Sequence, residues 1–555
     1  MIGRMAGIAL FLGVFLLYHF SFSPVPTADG FWYLSNIDRS DHAGMLIAHA
    51  PLSVYFFFSL KRLLSLLGLS VGTLSLIQTV NAVVGALEAV LFFRVIRLLG
   101  GGVLPGLLGA ALLSASFGYW YFANGEVQHL SLGVLLLIFY LLLRARMTGK
   151  PYGTRFVIGL GLGNAVAVLL RQENFLFGFT PVAMLVVGRP WRRGLKDGLC
   201  YTLAGALGTA VLIWGVGHFI LGKSTPRELA RWYFWLFEYV GGPQEYTGFA
   251  SAGLPFTGML KGQLTALIFG TQAVADAVKS RALLGDARAG LLVGLTLAAY
   301  GVIALLVANL WRARRSLLDR CLVPLTGGLV WLVSYKVILH SWFWPTSTKY
   351  HIVTLPPLIL LLLLGPIAAQ ADTGSASRRP AFGFAGVATL LALVFAVNVW
   401  GGILPWYRYG QMRETLTALK QAAFRPDDFF ISAESGIDSI FHAGGNHLSV
   451  KGLFRDASKR EGFDAIRSTI GEQLGGGRRV FLYNFVPGPF TLIGINQSAR
   501  GGEPLGPRDF EEFLADLRRR YVLRPVLSYW EEGKEPLYLY GERLETFWEV
   551  TRAAG

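Results

Sequence analysis

The sequence predicts a polytopic α-helical membrane protein of about 11 spans that ends in a soluble α/β domain. Three observations carry that expectation. Of the 555 residues, 53% are hydrophobic and only 15% charged, too little polar surface for a soluble chain of this length. Apolar runs of roughly 20 residues, the length that crosses a bilayer as a helix, recur from the N-terminus to about Trp400. From Pro405 onward the composition turns polar, and short apolar runs alternate with segments of helical spacing.

The apolar runs lie near 5–23, 73–93, 104–122, 130–146, 156–171, 175–188, 199–221, 289–310, 321–341, 351–369 and 382–401. The first carries a lone Arg4 and no small-residue cleavage site, so it reads as a retained span and not a removed signal peptide. The run 52–67 is also apolar, but Lys61 and Arg62 fall inside it, which predicts an interfacial helix lying in the membrane plane. The segment from Gly222 to Arg288 mixes Trp232, Tyr233, Trp235, Tyr239 and Tyr246 with charge, as helices at the headgroup level do.

A net charge of +16 would suggest nucleic acid in a soluble protein, but here its distribution matters more than its sum. With the N-terminus inside and 52–67 not spanning, the inside loops are R-V-I-R-L-L-G-G-G, R-A-R-M-T-G-K, R-P-W-R-R-G-L-K-D, W-R-A-R-R-S-L-L-D-R and G-S-A-S-R-R-P. All are basic, as cytoplasmic loops should be. If 52–67 crossed, most of them would lie outside. No nucleic-acid partner is therefore expected. The domains expected are a membrane domain, 1–404, with interfacial helices in its 24–72 and 222–288 outside loops, and an extracytoplasmic α/β domain, 405–555. In the latter, D-D-F-F-I-S-A, R-R-V-F-L-Y-N-F and P-L-Y-L-Y-G-E-R read as strands. E-G-F-D-A-I-R-S-T-I-G-E-Q-L and P-R-D-F-E-E-F-L-A-D-L-R-R-R-Y have helical spacing. Cys200 and Cys321 sit in or beside apolar runs, so no disulfide framework is implied.

On this topology the proton-active groups gather on the outside. The first loop, Ala28 to Pro51, holds Asp29, Asp38, Asp41, His42 and His49. Asn124, Glu126, Gln128 and His129 come from Y-W-Y-F-A-N-G-E-V-Q-H, and Arg171 and Glu173 cap the fifth span in L-L-R-Q-E-N. Lys336 and His340 end the ninth span, while Lys349, Tyr350 and His351 open the tenth. Each has an ordinary alternative. Asp29-Gly30 suits a turn, and Asp38 and Asp41 suit a solvated loop or a helix cap. His49 before Pro51 suits a helix start. Glu126 suits a tight turn, Arg171 with Glu173 an ion pair, and Lys349 and His351 interface anchors that snorkel outward.

The order of these motifs resembles the GT-C superfamily of membrane glycosyltransferases: an aspartate-bearing loop, then H-A-P-L-S-V-Y, then a span ending in aromatic-x-x-N-G-E. It is most similar to the polyprenyl-phosphate-sugar-dependent protein-mannosyltransferase and aminoarabinose-transferase branches, whose first loop has an acidic residue followed by an H-P-P-L-Y-like stretch. Ala50 stands where that pattern has its first Pro. The likeness covers the membrane region in layout and these short motifs in residues. It implies inverting transfer of a sugar from a polyprenyl-phosphate-linked donor to a glycan, lipid or protein acceptor. The reaction would occur at the extracytoplasmic face of a bacterial inner membrane. It further implies Asp29 as the base that takes the acceptor proton, with Asp38 and Asp41 in reserve and Glu126 orienting the acceptor. Arg171, Lys349, Tyr350 and His351 would hold the donor phosphate. His49, His129, Glu173 and Lys336 complete the expected substrate-binding set.

Asp29, Glu126 and a histidine would suit a divalent ion, but no H-E-x-x-H or paired-Cys motif supports one. Enzymes of the resembled superfamily that use lipid monophosphates generally work without metal, so neither metal nor cofactor is expected. Two other classes remain. A surface-polysaccharide polymerase or ligase would show large Arg-rich outside loops. A lipid or sugar transporter would show mid-membrane charges, broken helices and repeat symmetry; no internal repeat is visible.

Overall fold

The computed structural model describes residues 2–24, 28–40, 42–46, 52–149, 152–233, 255–271, 287–340, 348–371, 383–408, 427–432, 447–450, 458–483, 505–531 and 543–552, with a few isolated positions between them. The chain forms two compact units, Met1–Tyr407 and Arg408–Gly555.

In the first unit, seven helices among the described residues are long and apolar enough to cross a membrane: Ile2–Ser21, Thr73–Leu98, Gln128–Met147, Trp191–Ile220, Ala289–Arg312, Thr348–Ala368 and Phe384–Arg408. Arg314–Arg320 and Leu322–Val337 add an eighth if their 105° bend is counted as one broken span. Two of the expected spans, 104–122 and 175–188, are shorter than anticipated. Val103–Ala115 stops where Ser116 turns to extended backbone, its Oγ donating to the Leu112 carbonyl (2.8 Å), and Phe117–Phe122 resumes. Thr154–Leu170 stops at Arg171, also extended, and the next segment starts as a 3-10 turn, Gln172–Gly178, before Phe179–Val186.

The first two long helices are antiparallel. Gln78 Nε2 donates to the Ser23 carbonyl (2.8 Å) at one end, while a Cβ on Gly3 would collide with the Arg97 guanidinium at the other. Residues 24–72 therefore leave and rejoin the bundle at the same end. The helix Ser53–Leu66 spans 14 residues, about 21 Å at helical rise, short of the roughly 30 Å of a hydrocarbon core. Lys61 Nζ from this helix reaches both Asp38 Oδ1 and Thr73 Oγ1 at 2.7 Å. At the far end Arg146 Nη2 donates to the Val187 carbonyl (2.5 Å) and Arg189 pairs with Asp197 (2.8 Å).

Inside a bundle where lipid offers no hydrogen bonds, packing depends on small residues and satisfied polar groups. A Cβ at Gly161 would lie 2.5 Å from the Tyr201 carbonyl, so glycine lets Thr154–Leu170 and Trp191–Gly215 cross closely. Asn398 is a buried clamp. Its Nδ2 donates to the carbonyls of Ala115 (2.8 Å) and Leu267 (2.9 Å), and its Oδ1 accepts the Phe269 N–H (2.7 Å). Asn398→Leu strands all three backbone groups and should lower the unfolding free energy by about 3 kcal/mol, measured by chemical denaturation in detergent or nanodiscs.

The second unit holds a five-stranded sheet, β1 (Phe429–Ser432), β2 (His447–Ser449), β3 (Val480–Tyr483), β4 (Tyr521–Glu531) and β5 (Arg543–Arg552), in the order β2-β1-β3-β5-β4. β1 runs parallel to β2 and β3, and β5 antiparallel to β3 and β4. Strand alternation sorts the side chains. Phe429, Ile431, Val480 and Leu482 join Phe463, Ile466, Phe510 and Leu517 of the two helices Lys459–Gly475 and Pro507–Arg520. Phe430, Phe481 and Tyr483 pack with Phe424 and Phe547 in a second cluster. The expected strand P-L-Y-L-Y-G-E-R lies almost wholly outside the described residues. Ser458 caps the Lys459–Gly475 helix in a reciprocal capping box with Glu461.

Asp509 does the equivalent work for Pro507–Arg520, accepting the Gly506 N–H (2.8 Å) and pairing with Lys459 of the other helix. Desolvation opposes ionisation there, but those contacts outweigh it and hold the carboxyl below its ordinary value. A depressed folded-state value gives stability that is present above the ordinary carboxylate range and lost as the pH falls through it. Asp509→Ala should therefore speed hydrogen exchange of the 507–520 amides at pH 7, with the difference from wild type shrinking below about pH 4.

Candidate active site

The helix Ala28–Arg39 opens the site. Its Tyr33 and Ile37 pack with Val54, Phe57, Phe58 and Ile77, and with Val127 from the 123–127 turn. Polar groups fix that turn. Asn124 Oδ1 accepts the Ser23 N–H (2.8 Å) and Gln78 Nε2 (3.0 Å), while Asn81 Nδ2 donates to the carbonyls of Ala123 (2.9 Å) and Glu126 (2.6 Å). A Cβ on Gly30 would lie 2.8 Å from the Gly125 carbonyl. The neighbour of Asp29 thus abuts the neighbour of Glu126. Further contacts bind the 42–53 segment to the end of Thr154–Leu170. Leu52 N–H donates to the Leu169 carbonyl (3.0 Å), and Ser53 Oγ donates to that of Leu170 (2.6 Å). Trp232 Nε1 joins the same region by donating to the Leu46 carbonyl (3.0 Å).

Charges from three distant segments meet at this end of the bundle. Lys349 Nζ lies 2.9 Å from Glu126 Oε2 and sits over the Tyr33 ring at 5.8 Å. Arg171 Nε lies 2.5 Å from Glu173 Oε1, and its guanidinium sits over the Tyr350 ring at 5.9 Å. Arg171, Glu173, Lys349 and Tyr350 line one cleft with Gln128 and Asn174. Asn174 is held by Tyr335, whose hydroxyl donates to its Oδ1 (2.9 Å), and by its own Nδ2 donating to the Ala167 carbonyl (2.9 Å). Arg171 is buried, and its Nη1 has no hydrogen-bond partner among the described residues. Behind Glu173, Gln172 Nε2 donates to the Tyr233 carbonyl (3.2 Å). Burial, with the charge of Glu173 second, pushes the Tyr233 phenol up to about 12 and keeps it neutral.

The other expected residues fall in different places. Asp29 lies in the first turn of a helix and not in an Asp-Gly turn; its side chain is outside the described residues, as are Asp41 and His49. Asp38 is exposed, ion-paired to Lys61 and accepting from Thr73 Oγ1, and does not line the cleft. His351 is buried, its Nδ1 within hydrogen-bond distance of Lys336 Nζ (2.5 Å), and neither residue lines the cleft. His129 also points away from the cleft. Its Nδ1 is 2.8 Å from Glu88 Oε2, its Nε2 is 3.0 Å from the Tyr119 carbonyl, and the Tyr119 hydroxyl donates to the same Glu88 oxygen. Glu88, a carboxylate within the long helix Thr73–Leu98, is thus the partner of a histidine expected to touch substrate. Gln128 and Asn174 were given no role by the sequence. Only their place at helix ends beside charged residues signals one.

The fold and the site define a polytopic helical membrane protein with a cation-bearing cleft at one end of its bundle. No protein-family model and no curated protein matches the sequence. Among solved structures, the chain is similar to the Archaeoglobus fulgidus oligosaccharyltransferase. To its apo form it is 12% identical with a TM-score of 0.48, covering 94% of this chain and 73% of that one. To the complex of that archaeal enzyme with an inhibitory peptide and a dolichol-phosphate it is 11% identical, with a TM-score of 0.46 and coverages of 97% and 74%. To its complex with Zn and sulfate it is 13% identical, with a TM-score of 0.49 and coverages of 89% and 70%.

Removing one partner of a buried ion pair leaves an uncompensated charge, at a cost of about 3 kcal/mol or more. Glu173→Leu should therefore destabilise the membrane unit by about that amount. Added inorganic phosphate should raise the melting temperature of the variant more than that of the wild type, as read by differential scanning fluorimetry.

Proposed function

We propose that this chain is a membrane glycosyltransferase that moves a sugar from a polyprenyl-phosphate-linked donor to an acceptor at the extracytoplasmic face of a bacterial inner membrane. The observation that carries the reading is the convergence of Arg171, with its unpartnered Nη1, and Lys349 in one cleft, with Lys349 over Tyr33 of the helix Ala28–Arg39 that also holds Asp29. Two cations and a tyrosine suit the phosphate of a lipid donor. The isoprenoid tail would lie along the apolar helices and the sugar would face outward. The basic loops at the opposite end support a cytoplasmic assignment for that end.

In this reading the acceptor hydroxyl or amine gives its proton to the Asp29 carboxylate as its oxygen or nitrogen bonds to the anomeric carbon. The bond from that carbon to the phosphate oxygen breaks on the opposite face, inverting the centre. The electron pair leaves with the lipid phosphate, whose growing charge Arg171 and Lys349 stabilise. Glu126 keeps Lys349 directed into the cleft. The reaction runs without a metal, following the lipid-monophosphate branches that the sequence resembles.

Asp29→Asn should lower transfer at least a hundredfold while leaving the melting temperature within a few degrees, and EDTA should leave the wild-type rate unchanged. The assay is glycosyl product from a panel of undecaprenyl-phosphate hexoses in nanodiscs. Full activity of Asp29→Asn would remove that residue from the mechanism. Lipid or sugar flux across vesicles with no glycosyl product would replace the enzyme by a transporter.

A further inference from the structure

Gln128 is the most conspicuous polar group that the phosphate reading leaves unused. It is the first residue of the long helix Gln128–Met147, only 6% exposed, and it lines the same cleft as Arg171 and Lys349. Neither its Nε2 nor its Oε1 has a hydrogen-bond partner among the described residues. A buried amide left unpaired at both ends is costly, and the groups beside it are not indifferent. Asn174, which lines the same cleft, has both its amide atoms committed to Tyr335 and to the Ala167 carbonyl.

The chemistry of the amide selects its complement. A phosphate oxygen or a bare lipid phosphate accepts hydrogen bonds and would satisfy Nε2, but it would leave Oε1 stranded. A cation would do the reverse. A ligand that satisfies both ends must present a donor and an acceptor within a few ångströms of each other, as neighbouring hydroxyls of a pyranose do and as water does when no sugar is bound. We propose that Gln128 reads the sugar of the donor by a paired hydrogen bond to its ring hydroxyls, while Arg171 and Lys349 hold the phosphate. This rests on the glycosyltransferase reading, and it divides the cleft into a charge-reading part and a hydroxyl-reading part. A site built to pair hydroxyls discriminates strongly against analogues that lack them, because its own polar groups are then left unpaired.

The test compares bare undecaprenyl phosphate with four undecaprenyl-phosphate hexoses (glucose, galactose, mannose and N-acetylglucosamine) by native mass spectrometry of the full chain in nanodiscs. For the wild type, at least one hexose lipid should bind about tenfold more tightly than the bare lipid, and the 2- or 3-deoxy form of that sugar should lose most of the gain. Gln128→Met should erase the gain while leaving the affinity for bare lipid phosphate within about threefold. The same variant should melt no lower than wild type, because an amide without a protein partner contributes no native contact to lose. A merely structural glutamine would instead lower the melting temperature and leave the sugar preference intact. Retained preference in Gln128→Met, or equal weakening of bare and glycosylated lipids, would overturn the assignment. Gln128→Asn, which keeps the amide but withdraws it by one methylene, should recover part of the preference. Failure of wild type and Gln128→Met alike to bind undecaprenyl phosphate at all would sink the glycosyltransferase reading, and this inference with it.

Discussion

Charge at the end of an apolar helix bundle has to be paired, and that constraint shapes the upper part of this molecule. Two unit charges 4 Å apart attract by about 4 kcal/mol at the effective dielectric near a protein surface, whereas a buried charge without a partner costs several kcal/mol. Lys349 with Glu126 and Arg171 with Glu173 obey this rule. Lys349 and Glu126 lie far apart in sequence, so their pairing draws the start of one long helix against the turn that precedes another. Arg171 ends its helix in extended backbone and turns the chain at once, which places Glu173 beside its own guanidinium.

Such pairing sets what the cleft can do. A cation whose carboxylate partner is already in place does not snorkel away to the headgroups, so its direction is fixed before any ligand arrives. The pairs also keep the cleft close to neutral, and the unpartnered Nη1 of Arg171 is then the point at which an anion gains most. Aromatic rings complete the frame. Tyr33 and Tyr350 each lie against one of the two cations, contacts worth on the order of 0.5–2 kcal/mol depending on desolvation. The buried Glu88, His129 and Tyr119 group stands apart. It belongs to the bundle interior, with His129 and the Tyr119 hydroxyl both on Glu88 Oε2 and the Tyr119 carbonyl beside His129 Nε2, while Glu88 Oε1 has no hydrogen-bond partner among the described residues.

The helices were legible because their signal is local. Runs of apolar residues mark every long helix of the first unit, and Lys61 with Arg62 marks Ser53–Leu66 as different. Lengths were less legible. The break at Ser116 lies where a side chain bonds to its own helix, which does not alter hydropathy, whereas the stop at Arg171 falls where the apolar run itself ends. In the second unit the short runs at Phe429–Ser432 and Val480–Tyr483 read as strands because both faces are buried, leaving no polar alternation to confuse them. The long strand Tyr521–Glu531 did not, since Pro525 interrupts it; the register shifts just there, as a strand containing proline must.

Taken alone, the order of residues determined the membrane class, the sites of the long helices and the end of the bundle at which proton-active groups collect. All of these follow from hydropathy and charge along the chain. It also named Arg171, Glu126, Lys349 and Tyr350 as candidates. Tertiary structure decided which candidates share a cleft, because that depends on which helix ends touch. It committed Asp38 to Lys61 and His129 to Glu88. It also brought forward Gln128, whose amide lacks partners only because of what the fold sets around it. Hydrogen-bond satisfaction is a property of three-dimensional neighbours, and no periodicity in the sequence encodes it.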